Sequence, residues 1–96
     1  MTFQPQSDAR QAALEPVVNR ALAAVRKTVA GRAPAVREAF FYGAIGIDPK
    51  HLALWFIFAR DTEVATATRS GLVQEIGNKT REALRAEGYP ESAIDQ

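Results

Sequence analysis

The chain has 96 residues, with 12 cations, 11 carboxylates, one histidine and no cysteine. That length holds one ordinary domain with a modest core. The missing thiols exclude disulfide frameworks, cysteine nucleophiles and thiolate zinc sites, and a net charge of +1 exerts no general pull toward nucleic acid or membrane.

Residues 1–8 are polar and read as a flexible leader, leaving 9–96 as a single domain. From Ala9 onward the pattern is helical. Leu14, Val17, Val18, Ala21, Leu22, Val25 and Val29 recur at spacings of three and four and form one apolar stripe. Proline suits the first turn of a helix and disrupts its interior. Pro16 therefore predicts a firm helix from about Glu15 to Ala30, with Ala9–Leu14 a separate turn or a kinked extension. Gly31 and Pro34 are stop signals. Val36 to Ile47 reads as a strand, Asp48 to His51 as a turn, and Leu52 to Ala59 as a second strand. So short a connection makes the pair an antiparallel hairpin.

Asp61 or Thr62 then caps a helix whose threonine-rich first turns, Val64 to Arg69, are weak helix formers. Ser70-Gly71 marks a break. After it, Leu72, Val73, Ile76, Thr80, Ala83 and Leu84 share one helical face. Gly88 sits where a C-terminal cap is expected, and Pro90 to Ile94 can form one more turn. The order helix, strand, strand, helix is an α+β arrangement with the helices on one face of a small sheet.

The hairpin carries the strongest signal. It holds six of the eight aromatic residues, between Phe40 and Phe58. If Ile47 pairs with Leu52, one face carries Ala39, Phe41, Gly43, Ile45 and Ile47 with Leu52, Leu54, Phe56 and Phe58. The other carries Phe40, Tyr42, Ala44 and Gly46 with Ala53, Trp55, Ile57 and Ala59. Both faces are apolar, whereas a sheet with one wet face normally alternates. The helices can cover one face, and the first is the richer in Leu, Ile and Phe. The second then exposes Phe40, Tyr42, Trp55 and Ile57. A lone two-stranded sheet is marginal and has two open edges, so the sequence predicts a homodimer that completes it, edge to edge or face to face. Contact with another protein, or a pocket for a small apolar ligand among Ala44, Gly46, Ala53 and Ala59, would use the same face. An RNA-associated role is the alternative. It would combine the aromatic face, as a stacking platform, with Arg26, Lys27, Arg32, Arg37 and Arg60 as phosphate contacts.

Catalysis finds little support. His51 lies in the turn, the helical carboxylates alternate with cations, and no nucleophile has a base and an orienting group beside it. No catalytic residue, metal ligand or cofactor site is expected. The segment from Gly71 to Thr80 misses the phosphate-loop spacing, since five residues separate its glycines and Asn78 stands between Gly77 and Lys79. Ala39 to Ile47 gives nine uncharged residues, where a membrane-spanning helix needs roughly 20. The N-terminal residues lack a basic segment followed by an apolar run, so a cytoplasmic location is expected.

The stretch from Leu54 to Glu63 (LWFIFARDTE), then Ser70-Gly71-Leu72 and Gly88-Tyr89-Pro90, resembles a pattern in small bacterial α+β proteins. The likeness covers the second half of the chain and implies no activity. It implies a further strand after Gly-Tyr-Pro, where this sequence ends at Gln96. The topology is also similar to the start of ribosome-binding factor A, a KH-type fold, which implies RNA association. Gly43-Ala44-Ile45-Gly46 has the spelling of the KH loop, but it lies in the predicted strand and not between helices.

Overall fold

A computed structural model describes residues 5–94. It has the expected α+β class: a long helix α1 (Pro5–Thr28), a hairpin of β1 (Val36–Tyr42) and β2 (Ala53–Phe58), then helices α2 (Asp61–Arg69), α3 (Leu72–Ala86) and α4 (Glu91–Ile94). Residues 5–8, expected to precede the first helix, lie in α1; residues 1–4 lie outside the described residues.

Helix α1 runs unbroken through Pro16, against the sequence expectation. The reason lies on its surface and at its side. Pro16 has no N–H to offer the Ala12 carbonyl, but both residues are exposed, so water serves that acceptor. Gln11 then anchors the early turns. Its Nε2 donates to Glu15 Oε2 (3.0 Å) and to the Gly43 carbonyl (3.3 Å), and its Oε1 accepts from the Gly46 N–H (2.7 Å). The apolar stripe works as expected: Val18, Ala21, Leu22 and Val25 are buried against the rest of the domain.

The hairpin differs from expectation in length and register. Leu54 pairs with Phe41, where the Ile47–Leu52 register would put Ile45 opposite it, a displacement of four residues. Because four is even, every residue keeps its face. Strand β1 stops at Tyr42, so Gly43, Ala44, Ile45, Gly46 and Ile47 leave the sheet. Gly43 turns the chain at φ +130°, a conformation that L side chains rarely adopt, and a Cβ there would overlap the His51 carbonyl. The Ile47 and Asp48 N–H groups close onto the Ala44 carbonyl (3.0 and 3.2 Å). Asp48 then starts a 3-10 turn at Pro49–His51, its carboxylate accepting from the Lys50 N–H (2.9 Å). Folding back this way delivers Ile45 into the core.

Helix α2 starts one residue earlier than expected, with Arg60 at the cap position and no side-chain cap; Asp61 is already helical. Glu63 reaches back instead and accepts the Ala59 N–H (3.0 Å). Gly71, at φ +85°, turns α2 into α3. Gly88 ends α3 in the predicted way. The Gly88 N–H donates to the Arg85 carbonyl (3.1 Å) and the Tyr89 N–H to the Leu84 carbonyl (2.9 Å), a paired closure that only a left-handed residue permits.

That closure tucks Tyr89 into the core, where its hydroxyl donates to the Pro49 carbonyl (2.5 Å). Burial, and secondarily the Asp48 carboxylate, push its pKa from 10.0 up to about 12. The neutral phenol is thus favoured in the fold. Its contribution is complete below about pH 10 and fades as pH rises through about 12, because the unfolded chain ionises first. Denaturant melts across that window should show stability falling with pH, and Tyr89→Phe should flatten that part of the slope. An unchanged slope in Tyr89→Phe would contradict it.

Two buried clusters lie on the same side of the sheet. One joins α1, Ile45, α3 and α4 through Val18, Leu22, Ile45, Leu84 and Ile94. The other joins α1 to α2 and α3 through Val25, Val29, Ala67, Leu72 and Ile76. Phe41, Leu54, Phe56 and Phe58 face them, which identifies the helix-covered face as the one richer in Leu and Phe.

Candidate functional site

The uncovered face of the hairpin is built by alternation alone. Phe40 opposite Trp55 and Tyr42 opposite Ala53 put their side chains away from the helices. The Phe40 and Trp55 rings stack at 6.5 Å with 12° between planes, and Tyr42 meets Phe40 edge-on at 5.4 Å and 76°. Tyr42 is 63% exposed and Trp55 52%, whereas Phe40 and Ile57 are half-buried. All four candidates therefore share one face, but of the small residues expected among them only Ala53 stays in the sheet. Ala44 and Gly46 left the sheet at Gly43, so no pocket forms there from the four small residues.

The five candidate cations are arranged differently. Arg26 Nη2 donates to the Arg37 carbonyl (3.1 Å), tying the end of α1 to β1. Arg60 lies at the same end of the hairpin, since Val36 pairs with Phe58. That is the end remote from Tyr42. Arg32 is taken up by an ion pair with Glu75. Glu38, opposite Ile57, places an exposed carboxylate on the aromatic face between the cations and the rings. His51 is exposed in the 3-10 turn, and the described residues contain no group of three or more His, Asp or Glu side chains placed to hold a metal ion. No described helix is long and apolar enough to cross a membrane.

A second feature was not foreseen. A cleft of about 530 Å³ runs between the covered face of β2 and α3. Its floor is Leu54, Phe56 and Phe58 from β2 and Ile76, Thr80 and Leu84 from α3. Among the described lining residues, Lys50 and Arg81 are the only charged ones. No described residue of α1 or β1 contributes, so the cleft lies on the β2 side of the domain. On α3 it is lined by the small residues Gly77 and Thr80; a Cβ at Gly77 would meet only the Arg81 guanidinium, at 3.5 Å, and the Thr80 hydroxyl is turned onto the Ile76 carbonyl (2.6 Å). Those two small residues in an otherwise apolar helical stripe were the available signal. No protein-family model, curated protein or solved structure matches the chain.

Proposed function

We propose that this chain is a non-enzymatic, cytoplasmic binding protein of bacterial type, and that it self-associates as a homodimer through the aromatic face of its hairpin. The observation that carries this reading is the exposed Phe40–Tyr42–Trp55 cluster on the open side of a two-stranded sheet. Tyr and Trp are the side chains most often found as anchors of protein contacts, since each brings large apolar area and few rotatable bonds. The carboxylates Glu75, Glu82, Glu87 and Glu91 are engaged by Arg32, Lys79, Arg20 and Arg85, which leaves them as surface ion pairs and supports a non-catalytic role. Glu38 on the aromatic face and the pairing of Arg32 weigh against the RNA-associated alternative.

Sedimentation velocity at micromolar concentration tests the reading. The wild type should run as a dimer. Trp55→Ala should run as a monomer with an unchanged circular dichroism spectrum, because the ring already faces solvent in the single chain. A compact wild-type monomer would overturn the proposal. Salt-sensitive binding of single-stranded RNA, lost when Arg26, Lys27 and Arg32 become alanine, would replace it with the RNA reading.

A further inference from the structure

The geometry points to a second binding site: we propose that the cleft beneath β2 takes an extended peptide segment of a partner protein, added as a strand to β2 and carrying an acidic side chain toward Lys50 and Arg81. Three observations converge. First, among the described residues β2 pairs only with β1 in a two-stranded sheet, so its other edge presents N–H and C=O groups that no described strand pairs. Second, the cleft runs along that same strand. Its lining includes Trp55, whose ring belongs to the opposite face, together with Leu54 and Phe56 from the covered face. Since β2 lines the cleft from Leu54 to Phe58 and no described β1 residue does, the cleft lies on the side of the sheet where β2 has its free edge. Third, the walls are apolar, and among the described lining residues the only charges are two cations.

An extended peptide satisfies all three together. Its backbone pairs with the free edge, alternate side chains enter the cleft, and the remaining ones stay in water. The cation pair selects against basic segments and for a carboxylate. The volume lies within the range of about 300–1,000 Å³ typical of ligand sites, so a small amphiphilic carboxylate also fits by size. It would leave the β2 edge unpaired, which is why the peptide is the better match. The proposed self-association uses the opposite face of the sheet; the two sites share Trp55, whereas Gly77 lines the cleft only and keeps them separable.

Panning a displayed library of short random peptides on the wild type, with Gly77→Leu as counter-selection, tests this. Leucine at position 77 adds bulk at the cleft wall and replaces a poor helix former with a good one, so the variant should keep its fold. The expected clones alternate apolar and polar residues and carry Asp or Glu. A synthetic copy should bind the wild type at least about tenfold more tightly than Gly77→Leu, and should slow amide exchange in Ala53–Phe58. Changing Lys50 and Arg81 to glutamate should reverse the preference toward basic peptides. The absence of an enriched pattern, equal binding to Gly77→Leu, or enriched peptides that leave β2 exchange unchanged would each overturn the proposal. Dodecanoate binding lost in Gly77→Leu, without peptide binding, would assign the cleft to a small amphiphile instead. Gly77→Leu should leave the sedimentation behaviour unchanged, so failure here stays separate from failure of the dimer.

Discussion

Ile45→Ala is expected to lower the unfolding free energy by about 2–5 kcal/mol, whereas Ile47→Ala should change it by no more than about 0.5 kcal/mol. The two residues are two apart in a loop and are chemically identical. Ile45 is 0% exposed and packs with Val18, Leu22, Leu84, Tyr89 and Ile94; Ile47 is 59% exposed. Removing the Ile45 side chain loses its transfer free energy and leaves a cavity where α1, α3 and α4 meet. Against a total stability of about 5–15 kcal/mol, that loss is severe, and each kcal/mol corresponds to about 4–8 °C in melting temperature for a domain of this size. Urea and thermal melts of both variants read the difference directly. Equal effects would mean that the two side chains face the same way, as residues of one continuous strand do.

That contrast shows where the sequence was readable. Alternation sorted the hairpin into its two faces correctly, and the four-residue register displacement left the sorting intact because side chains repeat every second residue. Alternation could not reveal that Gly43 ends the strand. Ile45 and Ile47 continue the apolar pattern, and only the three-dimensional fold separates a loop side chain driven into a core from one left in water. Pro16 misled for a related reason. Its local penalty is real, but the exposed Ala12 carbonyl and the Gln11 bonds to the 43–46 segment outweigh it, and those bonds join residues about 30 positions apart. Gly88 was read correctly because its role is local: the last turn of α3 and one left-handed residue suffice. The cleft was missed because Gly77 and Thr80 look like ordinary gaps in a stripe until the sheet lies opposite them.

Gly43→Ala should be more damaging than Gly71→Ala or Gly88→Ala, and it should act on the site as well as on the fold. At φ +130° an alanine is strained by about 1–3 kcal/mol, and here its Cβ would also collide with the His51 backbone. Gly71 offers the control. Its φ of +85° imposes strain, but a Cβ there meets nothing within 4 Å, so Gly71→Ala should cost clearly less. Relieving the collision means separating Gly43 from the His51 backbone, and with it from the 3-10 turn. That movement loosens the two bonds by which Gln11 holds the Gly43 carbonyl and the Gly46 N–H, and it carries Lys50 away from the cleft rim. Two measurements follow. In a double-mutant cycle, Gln11→Ala should cost less in the Gly43→Ala background than in the wild type, since the bonds that it removes are already weakened. Where Gly43→Ala still folds, it should bind acidic extended peptides more weakly than Gly71→Ala does. Additive stability losses, or equal peptide binding by the two alanine variants, would show that the Gly43–His51 contact does not set the position of Lys50.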